Sequence, residues 1–187
     1  RLTVLTEQVQ YLARFVIFAA PTFLTPYLIP HLWSKFSVTQ RFTYSPWLTA
    51  NLVLEELPRE SSQGPAWENI VYDSPGLGYV VSNHPTALHG AGPVVWTYYR
   101  ALAHGSPSEN RTVLLDRSWN YWKEEILNDL ERAHPDIRQC VSRIDILRLG
   151  HAMVRPTVGF LTSEEREHMA TLEGNIQFAN SDLSGIS

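Results

Sequence analysis

Few residues of this chain could do chemistry, and their spacing excludes most reactions. Seven histidines invite a metal reading. His84 and His89 are five apart with Pro85 between them, so they form no helical i, i+4 pair, and no carboxylate motif accompanies them. Glu164-Glu165-Arg166-Glu167-His168 reads as a solvated face, and no metal is expected. The single cysteine, Cys140, cannot build a disulfide framework or a Cys-based zinc site. With Asp136 nearby and no evident base, it reads as a packed thiol. The Gly-x-Ser-x-Gly elbow of hydrolases is absent. No catalytic residue can be assigned on spacing.

Three stretches remain. The last, Ile176-Gln177-Phe178-Ala179 followed by Asn180-Ser181-Asp182-Leu183-Ser184-Gly185, reads as a strand and a polar turn. That arrangement ordinarily announces a helix whose N-terminus faces an anion. In Val94–Arg100, a strand would put Trp96 and Tyr98 on one face and Thr97 and Tyr99 on the other. Trp96 and Tyr98 either line a cage for a cationic amine or fill the core. In Gly150–Thr157, a loop stiffened by Pro156 would carry His151 and Arg155. A loop histidine there suits either a catalytic group or a strand cap. The glycine-rich candidates fail: Gly76-Leu77-Gly78 lacks a third glycine, and Gly90-Ala91-Gly92 runs into Pro93. Neither is the G-x-G-x-x-G of a dinucleotide fold.

The elements that must position these residues alternate in character. Arg14–Pro21 reads as a short buried strand, and Thr22–Trp33 as a short helix or irregular turn. Strands are expected at 47–57, Asn69–Asp73, Gly78–Asn83 and Val94–Tyr99, in the rhythm of an antiparallel meander. Loops are expected over Pro58–Pro65 and Pro107–Asn110. The clearest helix is Arg117–His134, with Trp119, Trp122, Ile126 and Leu130 on its apolar face, Asp116 as N-cap and Pro135 as stop. Lys123, Glu124, Asn128 and Glu131 should face solvent. A strand at Ile144–Leu149, a polar helix or loop at Ser163–Ala170 and a strand at Ile176–Ala179 follow. The first and last strands are apolar on both faces and should share one covered sheet.

At 187 residues, 44% hydrophobic and 18% charged, the chain can form one or two domains with a sizeable core. Its net charge of -4 does not attract nucleic acid or anionic lipid in bulk. The apolar run Phe15–Pro30 is broken by Pro21, Pro26 and Pro30, so no membrane span is expected.

Three segments together carry a resemblance. "RFVIFAAPTFLTPYLI", "GHAMVRPTVGFL" and "IQFANSDLSGIS" resemble the C-terminal half of FAD-dependent oxidoreductases of the flavin amine oxidase superfamily, with spermidine-dehydrogenase-like flavoproteins as the nearest branch. The resemblance implies an α+β chain, part of a two-domain flavoprotein. Residues 1–30 would be a returning strand of the FAD domain and its crossover. Residues 31–170 would be an antiparallel substrate-domain sheet with a long helix. Residues 171–187 would be the final FAD-domain strand and a truncated cofactor turn. It places Ala20, Pro21, Asp182, Ser184, Gly185 and Ile186 at FAD, with Asp182 near the ribityl–pyrophosphate. It places Trp96, Tyr98, His151 and Arg155 in the substrate cavity. The implied reaction is oxidation of an amine C–N bond by hydride transfer to flavin. The fingerprint is absent and the chain stops inside its cofactor turn. The expectation is therefore a fragment that needs the rest of the flavoprotein, or a companion chain, to hold FAD. A soluble bacterial protein, cytoplasmic or periplasmic, is implied. The other reading is a non-catalytic subunit or binding module with an aromatic-lined recognition sheet.

Overall fold

A computed structural model describes residues 2–5, 9–32, 42–59, 66–83, 92–170 and 174–184. The chain is mixed α and β, and it divides into two compact units, Arg1–Tyr44 with Met153–Ser187, and Ser45–Ala152.

The first unit is built on short strands. β1 (Leu2–Leu5) and β2 (Gln10–Ala13) form an antiparallel hairpin that the sequence pattern did not announce. β3 (Val16–Phe18) and β9 (Ile176–Phe178) pair in parallel, with Val16 opposite Ile176 and Phe18 opposite Phe178. The two strands expected to share a sheet therefore do so across most of the chain length. One face of the pair differs from expectation. Phe18 and Ile176 are buried, but Ile17 is 70% exposed. Between β3 and residue 32 the chain makes only short turns: 3-10 turns at Thr22–Leu24 and Pro30–Leu32 flank α1 (Thr25–Leu28). Pro26 and Pro30 keep these turns short by removing backbone donors. A core of Leu32, Phe42, Tyr44, Val154, Phe160, Met169 and Leu183 closes this unit, with α5 (Glu164–Ala170) contributing Met169.

The second unit is a five-stranded sheet with helices on one face. β4 (Tyr44–Leu54) starts at the end of the first unit. It is followed by β5 (Glu68–Asn69), β6 (Gly78–Val81), β7 (Val94–Ala101) and β8 (Val141–Val154), in the spatial order β5-β6-β7-β4-β8. β5–β6, β6–β7 and β4–β7 are antiparallel, the expected meander. Period-two burial fixes the core face: Leu48, Ala50, Leu52 and Leu54 of β4 and Val94, Trp96 and Tyr98 of β7 all point inward. Gly78 is at φ 94, and a Cβ there would overlap the Asn69 carbonyl, so the β5–β6 approach requires glycine.

The helices differ from expectation in two places. Pro107–Asn110 is the first turn of α2 (Pro107–Asp116), because proline suits the first helical position, where no backbone donor is needed. α3 (Trp119–Glu131) is capped by Ser118, whose hydroxyl accepts from the Tyr121 amide at 3.2 Å, rather than by Asp116. Its phase is as read: Trp122, Ile126, Leu127 and Leu130 are buried against the sheet. Trp119 is the exception, half exposed at the first turn with the Lys123 ammonium over its ring. α4 (Ile137–Cys140) leads into β8. β8 runs far beyond the expected Ile144–Leu149, so His151 lies in a strand and not in a loop. No helix among the described residues is long and apolar enough to cross a membrane.

Candidate functional site

Because β3 and β9 run in the same direction, their carboxyl ends lie side by side. Each strand leaves the pair through a turn, Ala19-Ala20-Pro21-Thr22 after β3 and the polar Asn180–Ser184 after β9, and these turns bond to one another. The Ala179 amide donates to the Phe18 carbonyl at 3.0 Å, continuing the ladder past the strand ends. The Asn180 side-chain amide donates to the Ala20 carbonyl at 3.1 Å, and its carbonyl accepts from the Thr22 hydroxyl at 3.2 Å. Asp182, in the 3-10 turn Ser181–Leu183, points inward with 6% exposure. Its Oδ2 accepts from the Thr22 backbone N–H at 2.7 Å and from the Tyr44 hydroxyl at 2.6 Å. Both donors land on one oxygen. Oδ1 has no protein donor among the described residues. The Ser184 hydroxyl closes its own turn on the Ser181 carbonyl at 2.7 Å, and the Arg166 guanidinium donates to the Leu183 carbonyl at 2.7 Å.

The Tyr44 ring stands edge-on to Phe23 at 5.1 Å inside the unit's core. Burial, and then the hydrogen bond to the Asp182 carboxylate, hold its pKa well above the ordinary tyrosine range. Tyr44 therefore keeps its proton and remains a donor. Of the residues expected at a cofactor, Ala20 and Asp182 belong to the two joined turns, Pro21 precedes Thr22, and Ser184 ends the second turn. Gly185 and Ile186 lie outside the described residues, as do His84 and His89.

In the second unit, Trp96 and Tyr98 are both fully buried. Trp96 stacks on Tyr79 at 4.0 Å and packs beside His134 at 4.9 Å. The Tyr98 hydroxyl donates to Asp129 Oδ2 at 2.7 Å, and Ser74 donates to the same oxygen at 2.6 Å. These two aromatics fill the interior beneath the helices, where their partners are other side chains.

The opposite face of this sheet went unselected in the sequence reading. It carries Trp47, Thr49, Asn51 and Val53 from β4 and Val95, Thr97 and Tyr99 from β7, all half-buried. Register aligns Asn51 with Thr97 and Thr49 with Tyr99. The Thr97 hydroxyl donates to the Asn51 side-chain carbonyl at 2.8 Å and also bonds the hydroxyl of Ser82, just after β6, a polar ladder that starts on β4 and crosses β7. Alternation along Val94–Arg100 separates the two faces in the sequence. What it lacks is the sign telling which face meets the helices.

His151, at the end of β8 in the second unit, is exposed; partial burial and the Arg111 charge hold its imidazole below the ordinary histidine range. Arg155 belongs to the first unit, where its backbone N–H donates to the Thr43 carbonyl at 2.7 Å. Among the described residues no three His, Cys, Asp or Glu side chains gather in a metal-binding cluster.

No family model matches this chain, and no curated protein matches it. A solved structure is similar: a protein of Exiguobacterium sp. 255-15 described as "Putative protoporphyrinogen oxidase". The likeness has a TM-score of 0.60 at 16% identity over 96% of this chain. The chain spans 39% of that protein's length. At that identity the likeness is one of fold.

Proposed function

We propose that this chain is part of a flavin-dependent oxidoreductase of the flavin amine oxidase superfamily, with the joined turns after β3 and β9 on its FAD side. The observation that carries this reading is Asp182. One carboxylate oxygen fastens the two turns at the carboxyl ends of parallel strands, where α/β sheets ordinarily bind their ligands. The other oxygen is left to accept from a hydroxyl, which is what an acidic residue does beside a ribityl or ribose chain. The donor set thus fits the group. Ala20, Pro21, Asp182 and Ser184 would line its sugar side. The fold likeness to a protein described as an oxidase supports the same class.

A bound flavin would supply the hard step, accepting hydride from the substrate carbon. The chain's own residues bind and orient. An amine substrate, in the manner of spermidine-dehydrogenase-like enzymes, is the finer part of the proposal and rests on the sequence resemblance alone. Substrate contacts are assigned to the open sheet face of the second unit, through Trp47, Tyr99 and the Asn51–Thr97 ladder. These residues present aromatic surface and hydrogen-bonding groups together. The chain carries no G-x-G-x-x-G, so further polypeptide must supply that part of the FAD site. The exposed Ile17 on β3, with the exposed Phe15 just before it, gives such a segment apolar surface to cover.

The test is direct. The natural-length protein is purified, denatured and analysed for released flavin, and candidate amines are tried for reduction of the bound cofactor. Stoichiometric FAD that is bleached by an amine is the expected result. A protein free of flavin after supplementation with FAD would favour the other reading, a binding module that uses the open sheet face for recognition.

A further inference from the structure

We infer that Tyr44 is the positioning residue of the candidate cofactor turn, holding the Asp182 carboxylate in the one orientation that leaves Oδ1 to a ligand hydroxyl. The inference rests on the flavin reading above and adds to it a residue that neither the sequence pattern nor the resemblance singled out.

A carboxylate held by one donor can pivot about its Cβ–Cγ bond and exchange its oxygens. Asp182 is held by two, from parts of the chain far apart in sequence. Thr22 N–H belongs to the turn after β3, and the Tyr44 hydroxyl comes from the first residue of β4. Both bonds converge on Oδ2, so rotation would break the two together. A hydrogen bond to a charged acceptor is among the stronger ones. The donor is itself immobile. Tyr44 is 4% exposed, its ring stands edge-on to Phe23, and it belongs to the buried core of its unit. Without the hydroxyl, the carboxylate would retain only the Thr22 amide and could swing Oδ1 inward.

A purely structural role for Tyr44 would lower stability without coupling to Asp182. The experiment is therefore a double-mutant cycle on the natural-length holoprotein, with FAD as the probe. FAD dissociation constants and melting temperatures are measured for wild type, Tyr44→Phe, Asp182→Ala and the double variant. Ile126→Val, in the core of the second unit and away from these bonds, is the control. Tyr44→Phe is expected to weaken FAD binding about tenfold, the size of one charge-assisted hydrogen bond. In the Asp182→Ala background the same change should add less than about twofold, because the residue it acts through is gone. Ile126→Val should lower the melting temperature and leave FAD affinity unchanged. Full FAD affinity in Tyr44→Phe, or effects of Tyr44→Phe and Asp182→Ala that multiply independently, would overturn the positioning role alone. A wild-type protein that binds no FAD would overturn the flavin reading and this inference with it.

Discussion

Two buried aspartates in this molecule look alike and are built for different ends. Asp129 and Asp182 each accept a short hydrogen bond from a buried tyrosine, Tyr98 at 2.7 Å and Tyr44 at 2.6 Å. Asp129 sits within α3, and both its oxygens are spent on protein. Oδ2 takes Tyr98 and Ser74, and Oδ1 takes the Arg132 guanidinium at 3.5 Å. Arg132 in turn reaches the carbonyls of Tyr72 and Asp73, so the cluster ties a helix, a strand and a loop. Asp182 sits on a turn and spends one oxygen only. A closed carboxylate is a clamp. One with an acceptor left over, at the carboxyl ends of parallel strands, is where a ligand can be met.

The largest effect that would break this comparison is at the clamp. Asp129→Ala should cost about 3–5 kcal/mol of stability, because Tyr98, Ser74 and Arg132 are left without their shared acceptor. Urea unfolding measures it. A loss under about 1 kcal/mol would mean that the cluster is ornamental.

The next effect sharpens the same point through backbone. A Cβ on Gly76 would overlap the Tyr98 ring and hydroxyl, while the Gly76 amide bonds the Ser74 hydroxyl at 2.8 Å. Gly76→Ala should therefore cost about 1–3 kcal/mol by pushing Tyr98 off Asp129. A neutral result in the same unfolding assay would show that the cluster yields freely.

These dependences explain what the sequence could reveal and what it could not. The β3–β9 pair was legible because Val16-Ile17-Phe18 is an apolar triplet and Ile176 and Phe178 flank a single Gln177, each segment bounded by turns. The α3 phase was legible because Trp122, Ile126 and Leu130 recur at helical spacing. The full length of β8 was hidden, since Ser142 and Arg143 precede the Ile144–Leu149 run and Gly150, a residue that weakens a strand pattern, follows it. The start of α2 was hidden because a proline reads as a stop before it reads as a first turn. The site was only half visible. Asp182 stands in a recognisable turn, but Tyr44 is 138 residues away and no local pattern links them. Pairing of that kind is a property of the folded chain.

The smallest effect is shared by both sites and has a definite sign. Burial first, and then the neighbouring aspartate, raise both tyrosines above their ordinary range. In the unfolded chain these groups ionise near about pH 10, so above that pH the unfolded state binds fewer protons than the folded one. Their contribution is fully present below about pH 10 and declines as pH rises beyond it. Tyr44→Phe and Tyr98→Phe should each flatten the alkaline limb of a stability–pH profile, and the double variant should flatten it most. An alkaline limb identical to wild type in both single variants would remove the tyrosine–aspartate bonds from the account.

The central claim is that Asp182 faces a flavin, and it is tested most directly by the flavin content of natural-length Asp182→Ala that is still folded. If Asp182 holds the cofactor through Oδ1, the variant should be purified with most of its FAD lost, while Asp182→Asn, which keeps an acceptor, should lose less. If Asp182 merely fastens the two turns to each other, its removal costs stability alone, about 1–3 kcal/mol for the donors left unpaired. Full FAD occupancy with nothing but a lowered melting temperature would contradict the claim.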